Sequence, residues 1–215
     1  MSARCESVIF DLDGTLIDSS PGILRSYEEA FCRCGVTPLL PWRTGLIGPT
    51  LTQTIALQCG SQNSALLQSL RETFITCYDN DGFRLSAPYS GIPELLTTLQ
   101  RSGIRLFIAT NKRIVPTQRI VTHLGFDKMF EGVFGVDSLG QAQTPKSDVI
   151  RHIVQKYGLA PKRCLYLGDR LEDYEASTAA ELPFVLATWG FDDAEALVPK
   201  DCPRVNTAES FYRLV

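Results

Sequence analysis

The sequence predicts an α/β fold: a doubly wound, mainly parallel, Rossmann-like sheet interrupted by an inserted helical segment. Short apolar runs rich in β-formers alternate with longer helical patterns. Glycines fall where those helices should end. One long stretch near the N-terminus loses the alternation altogether. Strands are expected at Ser7 to Phe10, Ile104 to Ala109, Val133 to Val136, Cys164 to Leu167 and Phe184 to Ala187. Each has the length and near-continuous apolarity of a strand covered on both faces. Helices are expected at Ile92 to Gln100, Pro116 to Leu124, Ser147 to Tyr157 and Leu171 to Ala180, with Gly103, Gly125 and Gly158 just past three of them.

The segment from about Ser19 to Ala87 carries no convincing strand. Ile23, Tyr27, Ala30 and Phe31 share one helical face, and Leu66, Leu70, Phe74 and Tyr78 another. The expected organisation is therefore residues 1–18 and 88–215 as the α/β core, with residues 19–87 as a helical insert. Its sharpest interruption is Gly45 to Pro49, and it contains no lysine.

Bulk properties narrow the function. The 215 residues are 44% hydrophobic and 21% charged, enough for a sizeable core. A net charge of -3 leaves no electrostatic footprint for nucleic acid or an anionic membrane. No stretch approaches the roughly 20 apolar residues that span a bilayer. Val8-Ile9-Phe10 is too brief for a signal-peptide core. The seven cysteines include no C-x-x-C spacing, so mostly buried, reduced thiols in a cytoplasmic protein are expected. Two histidines, His123 and His152, are too few and too far apart for a zinc cluster. Neither the glycine-rich nucleotide signatures nor a G-x-S-x-G elbow is found.

The chemistry gathers at predicted strand ends. The first strand runs directly into Asp11-Leu12-Asp13-Gly14-Thr15. Ligands of open α/β sheets bind beyond the C-terminal strand ends. The next strand ends in Thr110-Asn111-Lys112, Lys146 opens a helix after Thr144-Pro145, and a later strand ends in Gly168-Asp169 with Asp173 four residues on. Each piece alone has a plain explanation. Aspartates beside glycine make turns, Lys146 can be a solvated helix start, and Asp173 a surface helix residue. Their convergence is more specific. Several carboxylates in one place call for a cation, and an all-oxygen set with a phosphate suits Mg²⁺. A metal, an ammonium group and a hydroxyl offer the positioning and charge stabilisation that phosphoryl transfer needs.

These motifs resemble the haloacid dehalogenase (HAD) superfamily, and within it the phosphoglycolate phosphatase-like group with a helical cap. The resemblance rests on Asp11-Leu12-Asp13-Gly14-Thr15, Thr110, Lys146 and Gly168-Asp169 with Asp173, in that order, and on Thr110-Asn111-Lys112 and Thr188-Trp189-Gly190. It spans roughly Val8 to Gly190. It departs at Ala179-Ala180-Glu181, where relatives usually have glycine last.

The resemblance implies a HAD-like core with a cap inserted after the first strand, and an Mg²⁺-dependent phosphatase of small phosphate esters. Asp11 would be the nucleophile forming an aspartyl-phosphate. Asp13 would be the acid and then the base. Thr110, Asn111 and Lys146 would hold the phosphoryl group. Asp11, the Asp13 backbone carbonyl and Asp169 would bind Mg²⁺, and Asp173 would bind through water or orient Lys146. In the insert, Arg43, Gly48 and Thr50 are the expected substrate contacts. A phosphomutase and a non-catalytic phospho-ligand module are the alternatives. A small phosphate ester is the expected partner, with no nucleic acid or membrane, and the chain is expected as a monomer or homodimer.

Overall fold

A computed structural model describes residues 5–47, 50–191 and 196–215. The chain divides into two compact units, Met1–Asp18 with Ala87–Val215, and Ser19–Ser86.

In the larger unit, six strands form one parallel sheet: β1 (Ser7–Phe10), β4 (Arg105–Ala109), β5 (Gly132–Phe134), β6 (Cys164–Gly168), β7 (Phe184–Ala187) and β8 (Arg204–Val205). Their order is β5-β4-β1-β6-β7-β8, so β1 lies inside the sheet with β4 and β6 beside it. The helices are α4 (Ile92–Arg101), α5 (Ile114–His123), α6 (Lys146–Tyr157), α7 (Leu171–Ala179) and the short α8 (Ala208–Tyr212). Alternate strand residues face opposite sides. Ile9, Phe107, Tyr166 and Phe184 join Val149, Ile150 and Ile153 of α6 and Ala176 of α7 in one core cluster. Phe10, the neighbour of Ile9, meets Phe211 of α8 edge-on at 6.1 Å. Both faces are thus covered, which is why the strands read as unbroken apolar runs.

A second, two-stranded antiparallel pair joins β2 (Ile17–Asp18) to β3 (Ala87–Pro88), where the chain leaves this unit and returns to it. Neither this pair nor β8 and α8 is foreseeable from residue order, because two-residue strands and a one-turn helix carry no usable periodicity. Other boundaries differ from expectation by one or two residues.

The smaller unit packs α1 (Ser20–Arg33) against α3 (Ser64–Asn80), with α2 (Leu51–Cys59) beside α3. Tyr27 joins the two helices: its ring lies 4.4 Å from Phe74 and stacks on Trp42 at 4.9 Å. Gly22 permits a close backbone crossing, since a Cβ there would lie 2.0 Å from the Gly82 carbonyl oxygen.

No two of the seven cysteines are bonded. Only Cys5, Cys77 and Cys164 are buried and Cys32 is exposed, which corrects the expectation of mostly buried thiols. Among the described residues no helix is long and apolar enough to cross a membrane.

Glu181 has φ of 60°, the left-handed conformation that glycine adopts freely. A side chain there costs roughly 1–2 kcal/mol, partly offset by the greater freedom of unfolded glycine. Glu181→Gly is therefore expected to raise Tm by about 1–4 °C in thermal unfolding. An unchanged or lower Tm would show that the turn is not strained.

Candidate active site

Strand register determines which loops can meet. Phe10 pairs with Ile108 on one side and Leu167 on the other, so Asp11 emerges beside the ends of β4 and β6. The Asp11 amide donates to the Leu167 carbonyl at 2.9 Å. Thr110 and Asp169 end the two flanking strands, and all three residues are buried.

Lys146 Nζ donates to Asp11 Oδ1 at 2.9 Å and to Asp173 Oδ1 at 2.6 Å. All three side chains are nearly sealed from water. Asp173 is held further: its Oδ2 accepts the Arg170 amide at 3.1 Å, and the Tyr166 hydroxyl lies 3.3 Å from its Oδ1. Tyr166 also donates to the Ala109 carbonyl at 3.0 Å, tying β6 to the residue before Thr110. Asp169 Oδ1 accepts the Thr15 hydroxyl at 3.1 Å, and its Oδ2 accepts the Phe191 amide at 3.1 Å.

Asp11, Asp169 and Asp173 each offer an oxygen within 4.8 Å of the others. Against these three carboxylates Lys146 brings one positive charge in direct contact, and the Arg170 charge acts on Asp169. Burial pushes the Asp11 carboxyl up to about 8, with Lys146 opposing and Asp173 and Asp169 adding to the rise. Burial and then Asp173 push Asp169 up to about 7. Burial works against the Lys146 charge, but Asp11 and Asp173 prevail and hold it well above the usual lysine range. The cluster is thus short of positive charge, which a proton or a cation would supply.

The residues fit a hard divalent cation. The donors are all oxygens, and the Asp169 carboxylate sits in the space that two glycines leave for it. A Cβ at Gly14 would lie 2.1 Å, and one at Gly190 2.3 Å, from Asp169 Oδ2.

The Asp13 side chain lies outside this cluster. Its oxygens accept Lys112 Nζ at 2.9 and 3.0 Å in a largely buried ion pair. The Thr110 hydroxyl accepts the Lys112 amide at 3.2 Å, so the loop after β4 is folded back on itself. Asn111 is exposed. In the smaller unit Arg43 is exposed, and Thr50 caps α2: its hydroxyl oxygen accepts the Gln53 amide, and Gln53 Oε1 accepts the Thr50 amide at 2.9 Å. Thr50 thus has a local structural role that residue order did not suggest. Gly48 and Pro49 lie outside the described residues. His123 is exposed and His152 packs edge-on against Phe134, so neither histidine enters the site.

This arrangement can position an anionic group beside Asp11 and balance developing charge around it. Residues 8–187 match the family described as haloacid dehalogenase-like hydrolase. The chain belongs to this family. It is 34% identical over 200 residues to a 5'-nucleotidase from Pseudomonas aeruginosa, covering 90% of this chain and 87% of that protein. It is 32% identical over 190 residues to the tyrosine-protein kinase PtkA of Mycobacterium tuberculosis, covering 87% of this chain but spanning 64% of the kinase. A solved structure of a predicted phosphoglycolate phosphatase from Haemophilus somnus 129PT aligns with a TM-score of 0.88, covering 100% of this chain and 99% of that one. At 23% identity this last likeness speaks to the HAD fold alone.

Sequence reasoning overlooked the residues that hold the acids in place. Thr15 sits inside a recognised motif with no assigned role, and Trp189 reads from sequence as a packing residue. Tyr166 reads only as part of an apolar strand, and nothing in a single sequence separates its buried hydroxyl from an ordinary core aromatic.

Proposed function

We propose that this HAD family member is an Mg²⁺-dependent phosphatase of a small-molecule phosphomonoester, working through an aspartyl-phosphate on Asp11. The observation that carries the reading is the buried group of Asp11, Lys146, Asp169 and Asp173 at adjoining strand and helix ends.

Asp11 presents an oxygen that would attack phosphorus, with Lys146 holding the carboxylate in place. The ester bond to phosphorus breaks as the new bond forms, and Asp13 passes a proton to the departing alkoxide. Asp13 then takes a proton from water. That water's oxygen attacks phosphorus, freeing Asp11 and inorganic phosphate. The Asp13 carboxylate is paired with Lys112 here, so it would take up a proton from solvent and loosen that pair before acting as the acid. Thr110 and Lys146 would hold phosphoryl oxygens. Asp11, the Asp13 backbone carbonyl and Asp169 would bind the cation, with Asp173 nearby holding Lys146. Bound there, Mg²⁺ would neutralise the charge between an anionic nucleophile and an anionic ester.

The inserted unit is assigned as the cap that contributes substrate selectivity, with Arg43 and Thr50 as contacts. The protein is assigned to the cytoplasm, as a monomer or homodimer. The relative named as a kinase favours a second reading, phosphoryl transfer to an acceptor other than water.

Phosphate release decides between them. The purified chain is offered phosphoglycolate, nucleoside 5'-monophosphates and sugar phosphates, each alone, with Mg²⁺ or EDTA. Release of inorganic phosphate with Mg²⁺ is expected, falling by about 100-fold or more in EDTA and returning when Mg²⁺ is restored. No release from any ester with Mg²⁺ would overturn the hydrolase reading.

A further inference from the structure

The loop after β7 reaches the acid cluster from the far side of β6. Three contacts close a ring there. The Trp189 indole N–H donates to the Thr15 carbonyl at 3.0 Å, across 174 positions of sequence. The Thr15 hydroxyl donates to Asp169 Oδ1 at 3.1 Å. The Phe191 amide donates to Asp169 Oδ2 at 3.1 Å. Each carboxylate oxygen of Asp169 therefore takes one proton donor, one from the loop after β1 and one from the loop after β7. A carboxylate has about four lone-pair sites. Two remain for a cation, on a carboxylate that Gly14 and Gly190 accommodate by lacking side chains.

The indole bond is a direct tie between the two gripping loops. Without it, Thr15 and Phe191 would hold Asp169 with one fewer direct link between their loops. An acid aimed by two such loops points its free lone pairs accurately only while they keep one spacing. Thr15 uses its carbonyl for Trp189 and its hydroxyl for Asp169, so a movement of the indole passes directly to the acid.

We propose that Trp189 is a positioning residue of the cation site, fixing Asp169 through Thr15, and that its indole reports whether a cation is bound. This rests on the aspartate cluster being a cation site, so the test separates the two claims. It requires no turnover.

Mg²⁺ is titrated calorimetrically into the wild-type chain, Trp189→Phe and Gly190→Ala. The phenylalanine keeps an aromatic ring and removes the N–H donor. The alanine leaves the indole in place but crowds Asp169 directly. Both variants are expected to bind Mg²⁺ on the order of tenfold more weakly, the effect of disturbing the partners of metal ligands. Trp189→Phe should lower its EDTA melting temperature by no more than about 6 °C, as for the loss of one partly buried hydrogen bond. The chain has two tryptophans, and the other, Trp42, stacks on Tyr27 in the smaller unit. Trp42→Phe therefore leaves Trp189 as the single indole. Its emission should change on Mg²⁺ addition with the midpoint found calorimetrically.

If wild-type and Trp189→Phe chains bind Mg²⁺ equally, the positioning role is overturned while the cation site stands. The positioning role also falls if Trp189→Phe melts lower but binds unchanged, because the indole is then merely structural. Silent emission at saturating Mg²⁺ overturns the reporter role. A wild-type chain that takes up no divalent cation overturns the cation site and the Trp189 role together.

Discussion

In Asp11→Asn, kcat on the best phosphate ester is expected to fall by about 10⁴-fold or more, as when a covalent nucleophile is removed. The fold should survive. An amide oxygen can still accept from Lys146, whose other partner, Asp173, is unchanged. Asp11 is already driven toward its neutral form by burial, so a neutral replacement has little desolvation left to lose. Tm in EDTA should therefore hold or rise while turnover disappears. That combination separates a reacting group from a structural one. Turnover within tenfold of wild type, in a folded chain, would remove Asp11 as the nucleophile.

Lys146→Met carries the largest expected effect on stability. Lys146 is sealed from water between Asp11 and Asp173, with 5% of its side chain exposed. Breaking such a pair from one side costs roughly 3–5 kcal/mol, because the remaining carboxylates stay buried without their cation. For a chain of this size that corresponds to about 6–20 °C in Tm.

The loss should depend on pH, with a definite sign. Asp11 and Asp169 rise from the usual 3.8 to about 8 and about 7 in the folded, metal-free chain. The folded state therefore holds more protons than the unfolded state across that window, and stability falls as pH rises through it. Lys146 pulls the Asp11 value down. Removing it extends the unfavourable window upward. The Tm deficit of Lys146→Met in EDTA should thus be larger at pH 8 than at pH 6. A deficit under 2 °C at both pH values would show that the ion pair contributes little.

The candidate site positions were legible because each motif joins a strand end to an unusual residue set. Asp11 and Asp13 close an apolar run, Asp169 closes another, and Lys146 opens a helix. A parallel sheet brings such ends to one edge regardless of what lies between them. The glycines were legible only in part. Gly103, Gly125 and Gly158 could be placed past helices from pattern alone, and all three have positive φ. The need for Gly190 is set by the carboxylate of Asp169, which lies 21 positions earlier in the chain. Glu181 shows the converse: a turn that asks for glycine is held by a side chain, and a single sequence cannot say whether the backbone follows the pattern or the residue.

The amino-acid order by itself determined the α/β class, the interruption by a helical segment and the identities of the acids and the lysine. Those depend on local periodicity and on which residue follows which strand. Only the tertiary structure decided that Lys146 bridges Asp11 and Asp173, that Lys112 holds Asp13, and that Trp189 reaches Thr15. These partners lie between 27 and 174 positions apart. Their meeting depends on strand order and register, which arise from packing both faces of the sheet at once.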